Sequence, residues 1–226
     1  MGDAIRVMLA VAGKDLQLEL RRRTALLAAT VFAALVLVVF NFARDPTAIS
    51  ALDVAPSALW ITLVFSTEVA LNRAFHAEAE HGALDGLLLA PASRGGLYLG
   101  KCLANLIFVG VVLVVAVPLF ILFFNLDPST GWAGVAVVLV LAAVGIVAVG
   151  TLFSAMAVRT RIAELLLPLL HLPFVVPVLI AGVQASTRLL AGRPLSEVTG
   201  WLRFLVVYDI VFVTLGALAF STVVDE

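Results

Sequence analysis

Three ionisable side chains lie within or beside long apolar runs of this chain: Glu68, His171 and Asp209. Charge at such depth is costly in lipid and normally faces a bundle interior, a wet cavity or a partner. Asp209 fits two roles, structural pairing with a neighbouring helix or a group on a transport path. Glu68 lies about one turn from Asn72 and Arg73, within snorkelling reach of the membrane interface. His171 falls between Pro168 and Pro173, where a carbonyl freed by a proline can accept its ring proton. Ligation of a metal or haem is the other chemistry it offers. His76 and His81 flank Glu78-Ala79-Glu80, which suits a solvated loop face. With neither Cys nor a second converging His beside them, they lack metal-site spacing, and no Ser/His/Asp or Cys/His arrangement stands out.

One motif is a decoy. Gly95-Gly96-Leu97-Tyr98-Leu99-Gly100-Lys101-Cys102 nearly matches the phosphate-binding G-x-x-x-x-G-K-[ST]. The hydroxyl that would bind Mg²⁺ is replaced by Cys102, no buried strand precedes the loop, and a membrane-length run follows. A nucleotide site, if ATP drives this protein, belongs to another polypeptide.

Composition places these residues in a bilayer. Of 226 residues 63% are hydrophobic and 13% charged, and mean hydropathy is +1.16, far from the balance of a soluble globular domain. A net charge of −1 carries no nucleic-acid signal, and the single Cys102 excludes an internal disulfide framework. A largely polar lead precedes the first apolar run, which is itself long enough to span, so no cleavable signal peptide is expected.

The fold class expected is all-α and polytopic, with six spans at Thr24–Ala43, Val54–Leu71, Cys102–Phe124, Trp132–Val158, Glu164–Gln184 and Gly200–Val224. The runs are continuous, not alternating as membrane strands require. The second is short and carries Glu68. A cytosolic N-terminus puts ten of the fourteen Lys and Arg on inner segments, against Arg44, Arg188, Arg193 and Arg203 outside. Both termini are therefore expected in the cytosol.

Residues 4–23 read as an interfacial helix, with Ile5, Met8, Leu9, Ala12, Leu16 and Leu20 at helical spacing. Glu19 falls near that stripe and makes it imperfect, and Arg21-Arg22-Arg23 suits a headgroup anchor. Pro118 and the group Pro168, Pro173 and Pro177 should kink or break the third and fifth helices. The fifth is expected to end early, leaving 185–199 as an amphipathic segment at the outer surface or a plain loop. Gly96 with Gly100, and Gly145 with Gly150, permit close helix approach without locating it.

The one substantial insert, residues 72–101, carries Leu84-Asp85-Gly86-Leu87-Leu88-Leu89-Ala90-Pro91. Leu84, Leu87 and Leu88 share one helical face, Asp85 lies on the other, and Pro91 stops the turn. An apolar-faced helix at the membrane surface suits docking into a groove on a soluble subunit. A re-entrant turn without a partner is the plainer reading.

These strings, with Gly100-Lys101-Cys102-Leu103-Ala104-Asn105, Gly150-Thr151-Leu152-Phe153-Ser154-Ala155, Arg159-Thr160-Arg161, Glu164-Leu165-Leu166-Leu167-Pro168 and Trp201-Leu202-Arg203 through Asp209, resemble the CcmB family (haem exporter protein B), the permease of the cytochrome c maturation ABC system. The resemblance runs nearly end to end and implies a type-2 ABC exporter permease fold in a single domain of the bacterial cytoplasmic membrane. It implies no enzyme activity of the chain's own. ATP would be hydrolysed on a CcmA-like subunit, with a second copy of the chain, CcmC-like and CcmD-like membrane proteins and a CcmE-like haem chaperone as partners. Leu84, Asp85, Gly86, Leu87, Leu88 and Leu89 would then form the coupling helix, and the turn with Arg159, Arg161 and Glu164 a second contact. Haem is implied as cargo, with no bound cofactor of the chain itself. The rival readings are a type-2 permease for lipid, drug or polysaccharide, an intramembrane enzyme, and a secondary transporter. No paired catalytic motif supports the enzyme, and no match between 24–124 and 132–224 supports the internal repeat of a secondary transporter.

Overall fold

The computed structural model describes residues 2–45, 47, 49–73, 93–128, 131–157 and 163–225. Among them seven α-helices follow one another: α1 (Gly2–Arg22), α2 (Thr24–Ala43), α3 (Ala51–Arg73), α4 (Arg94–Phe124), α5 (Trp132–Ala157), α6 (Ala163–Leu190) and α7 (Thr199–Asp225). A short 3₁₀ turn, Leu195–Val198, precedes α7. Six of these elements, α2 to α7, are long and apolar enough to cross a membrane, so the chain is an all-α polytopic membrane protein.

α1 ends where Arg23 adopts a left-handed conformation, φ 53°, and α2 starts at once. Arg23 offers no side-chain cap. Glu19 fills that role from the preceding helix, its Oε1 accepting the Leu26 N–H at 3.1 Å. A carboxylate at a helix N-terminus satisfies an orphan donor and meets the positive end of the dipole. The residue that spoils the apolar stripe of α1 is thus committed to α2.

α3 reaches its full length despite its polar content because its hydroxyls bond within the helix. Thr62, Ser66 and Thr67 donate to the carbonyls of Ala58, Thr62 and Leu63, so none of these three buried hydroxyls is left unpaired in the bundle. α4 begins eight residues before the expected Cys102 and runs through Pro118 without a break. Its first turns therefore contain the whole nucleotide-motif decoy in α-helical conformation, so its N–H groups form no phosphate-cradling loop.

α6 departs most from expectation. It runs continuously through Pro168, Pro173 and Pro177 to Leu190, so the fifth helix does not end near Gln184, and 185–190 is no separate outer segment. The reason is tertiary. Ala185, Ser186 and Leu189 are buried, and Trp60 of α3 donates from Nε1 to Ser186 Oγ at 2.9 Å. Ser186 and Thr187 in turn donate to the carbonyls of Gly182 and Val183. Packing of this last stretch offsets the donors lost to the prolines. The chain then turns at Gly192, φ 75°, into the 3₁₀ turn.

α5 packs against α3, α4, α6 and α7. α7 buries one stripe, Leu205, Tyr208, Asp209 and Phe220, while Val207, Ile210, Leu215 and Leu218 face outward. α2 presents Ala25, Ala29, Ala33 and Leu37 to the core, and Leu27, Val31, Leu35, Val39 and Phe42 outward, as a lipid-facing helix does.

A Cβ at Gly182 would overlap the Trp60 ring, whereas one at Gly110 would meet nothing within 4 Å. Gly182→Leu should therefore destabilise the detergent-solubilised protein by about 1–3 kcal/mol and lower its thermal midpoint. Gly110→Ala should leave the midpoint at or above wild type.

Candidate functional site

Polar side chains gather between the middle of the bundle and the end where α3 and α5 stop and α4 and α6 begin, and they converge on one stretch of α5. From α6, His171 is fully buried. Its Nδ1 lies 2.5 Å from Glu68 Oε1 of α3, and its Nε2 lies 3.0 Å from the Ile146 carbonyl of α5. Gly150 makes room one turn further along α5. A Cβ there would lie 3.0 Å from the imidazole and overlap Leu71. Beyond it, Ser154 Oγ donates to the Leu71 carbonyl at 2.7 Å.

α4 approaches the same stretch from another side. Tyr98 OH donates to the Ala148 carbonyl at 2.9 Å, and Asn105 Nδ2 donates to Thr151 Oγ1 at 3.2 Å. α7 supplies Asp209, whose Oδ1 points at Gly145, where a Cβ would sit 2.6 Å away. That oxygen is buried without a hydrogen-bond partner among the described residues. Its neighbour Tyr208 donates to the Phe174 carbonyl of α6 at 2.8 Å.

Two expectations change. Glu68 does not snorkel towards Asn72; it is 9% exposed and turned inward to His171. The carbonyl that accepts the His171 ring proton is not one freed by a proline in its own helix but Ile146 of α5. With both ring nitrogens engaged, His171 offers no lone pair to a metal or haem iron in this conformation.

The structure also shows a pairing that the sequence reading missed. Lys101, read there as an inner positive charge and as part of the decoy motif, is 2% exposed, and its Nζ lies 3.0 Å from Asp15 Oδ2 of α1. Gly96 and Gly100 bring the two helices together, since Cβ atoms there would meet the Ala4 and Met8 carbonyls at 2.9 and 2.8 Å. The first glycine pair thus serves the contact of α1 with α4; Gly145 and Gly150 serve those of α5 with α7, α6 and α3. The signal for the ion pair was available, as Asp15 lies on the same face of α1 as Val11, but no local pattern names its partner. α1 presents Ile5, Leu9 and Leu20 away from the bundle, leaving an apolar face while its other side is bound to α4.

Leu84, Asp85, Gly86, Leu87, Leu88, Leu89, Arg159 and Arg161 lie outside the described residues, as do His76 and His81. Glu164 falls in the first turn of α6. The helices that border these segments are α3, α4, α5 and α6, the four that carry most of the polar contacts described above.

Six membrane-length helices with an inward-facing polar layer define a polytopic helical membrane protein whose buried groups bind its helices to one another. Comparison with known proteins identifies it further. The CcmB protein family profile matches residues 6–226, and the chain belongs to that family. It is 32% identical to "Heme exporter protein B" of Rhodobacter capsulatus over 181 residues, 80% of this chain and 83% of that protein. The protein of the same name from Pseudomonas aeruginosa is 30% identical over 202 residues, 89% of each chain, and that of Bradyrhizobium diazoefficiens is 31% identical over 188 residues, 83% of each.

Asp15 is 17% exposed and also lies 3.1 Å from Lys14 Nζ, so removing Lys101 leaves its carboxylate partly compensated and costs less than breaking a fully buried pair, about 1–3 kcal/mol. Lys101→Met should accordingly lower the thermal midpoint and raise protease cleavage within α1. Asp15→Leu combined with Lys101→Met should recover most of that stability, because neither charge is then left to be compensated at this contact.

Proposed function

We propose that this chain is the permease subunit of an ATP-driven complex for c-type cytochrome biogenesis in the bacterial cytoplasmic membrane. It couples hydrolysis on a separate ATPase subunit to haem delivery, or to release of the haem chaperone, at the outer face. The observation that carries this reading is the match to the CcmB family over residues 6–226, together with relatives named for haem export. The six-span architecture supports it, and the basic-residue distribution supports cytosolic termini.

On this reading a second copy and two ATPase subunits complete the exporter, and CcmC-like, CcmD-like and CcmE-like proteins are its further partners. The Leu84–Leu89 stretch docks into the ATPase. Its position in the chain between the end of α3 at Arg73 and the start of α4 at Arg94 supports a role in acting on the bundle. Haem is handled as cargo of the assembly. The engaged ring of His171 favours mechanical work on a haem-chaperone complex over ligation of iron within this chain.

The test is covalently bound haem in membrane c-type cytochromes. A deletion strain should lose all such cytochromes, and the gene in trans should restore them; a normal cytochrome pattern would leave a type-2 permease with different cargo. Coupling is read separately. Leu87→Asp combined with Leu88→Asp should abolish copurification of the ATPase subunit while membrane insertion stays intact, and unchanged copurification would move the docking site elsewhere.

A further inference from the structure

α3 leaves the bundle for residues 74–92 at Arg73, and the last strongly buried side chains before that exit include Glu68 and Leu71. Both are joined to other helices, Glu68 to His171 of α6 and the Leu71 carbonyl to Ser154 of α5. The hydrogen bond from Trp60 to Ser186 lies roughly 12 Å further back along α3, at 1.5 Å per residue. The exit end of α3 therefore has its own attachment.

The chemistry of that attachment follows from its acceptors. A carbonyl only accepts, so the His171 nitrogen facing Ile146 carries a hydrogen. The contact between Nδ1 and Glu68 Oε1 then needs one more hydrogen, held by either atom. In both arrangements the pair bears no net charge, the form that a low-dielectric interior tolerates best. Because His171 is held from behind by α5, the carboxyl grips two helices through one ring. Separation would leave carboxyl and imidazole unpaired among apolar neighbours, which disfavours partly opened states.

We propose that Glu68 and His171 form a hydrogen-bonded latch that seats the exit end of α3 against α5 and α6, and that force applied at the Arg73 end of α3 reaches the bundle by releasing it. The transmitting role rests on the permease reading above; the latch itself is a property of this chain.

The experiment uses the full chain in native membranes, with Cys102→Ala and Ser154→Cys providing one reporter thiol. Ser154 is 5% exposed and lies beneath Leu71, so a small maleimide should label this parent slowly. Glu68→Leu should accelerate labelling about tenfold or more, the scale of one lost buried hydrogen bond. Glu68→Gln should restore slow labelling, because a carboxamide N–H can donate to Nδ1. His171→Ala should behave as Glu68→Leu does, and reads the same joint should the Leu variant fail to reach the membrane. A second reporter, Ala185→Cys near Trp60, should stay slow throughout. Equal rates at position 154 in all variants would overturn the latch. So would a Glu68→Gln variant as open as Glu68→Leu, or accelerated labelling at position 185, which would mean general loosening. The labelling rates read the joint and not ATPase activity or haem delivery, so failure would remove the latch and leave the permease proposal standing.

Discussion

Lipid offers no hydrogen bonds, so every polar group that this chain carries to membrane depth must find its partner inside the bundle. Many of these partners gather at one place. Between Gly145 and Ser154, a stretch of α5 receives the His171 ring at Ile146 O, the Tyr98 hydroxyl at Ala148 O and the Asn105 amide at Thr151. Ser154 reaches out to Leu71, and Asp209 lies against Gly145. Four helices thus meet one short run. Glycines at 145 and 150 let them come close enough, since a Cβ at either position would occupy space taken by Asp209 or His171. Small residues in membrane helices act in this way, replacing the hydrophobic driving force, absent between helices in lipid, with close packing and short polar contacts.

The same economy of contacts orders the surroundings. α1 is attached to α4 through backbone-level packing at Gly96 and Gly100 and the buried pair of Lys101 with Asp15. It should therefore move with the helix that follows residues 74–92. α3, which precedes those residues, is held to α6 at two levels, by Trp60 with Ser186 and by Glu68 with His171. The two helices flanking the insert consequently have different attachments: α4 carries α1 with it, and α3 is fastened into the bundle. On the permease reading, a push on the insert would act on two unlike joints.

Asp209 stands apart from the satisfied contacts. Its neighbours Leu205, Tyr208 and Phe220 form the buried face of α7, yet its Oδ1 has no hydrogen-bond partner among the described residues. Tyr208 beside it is committed to the Phe174 carbonyl, and the aromatic contacts of Phe153 with Phe174, Phe174 with Phe212 and Tyr208 with Phe212 tie α5, α6 and α7 together. The carboxyl thus sits in a rigid setting, where an unpaired polar group is expensive. The Glu68 carboxyl is satisfied on one side only: its Oε1 is paired with His171, while its Oε2 is buried without a hydrogen-bond partner among the described residues.

By itself the sequence determined the class of fold and the number of spans. Length and continuity of apolar runs are local properties that the bilayer reads directly, and the nucleotide-motif decoy could be dismissed on its neighbours alone. The repeating apolar positions of α1 were likewise visible, and Glu19 stood out as their exception without revealing that it caps α2. What only the tertiary structure decided is which faces meet. Glu68 and His171 lie 103 residues apart, and each read alone suggested a different fate, one at the interface and the other beside a proline-freed carbonyl. α6 was expected to stop at its prolines because propensity is counted residue by residue, whereas burial of Ala185 and Ser186 against Trp60 is a sum over neighbours from α3. Lys101 looked like one more inner charge until α1 brought Asp15 to it. Periodicity reports that a helix has a buried face; the partner across that face depends on packing among helices distant in the chain, and no local pattern encodes it.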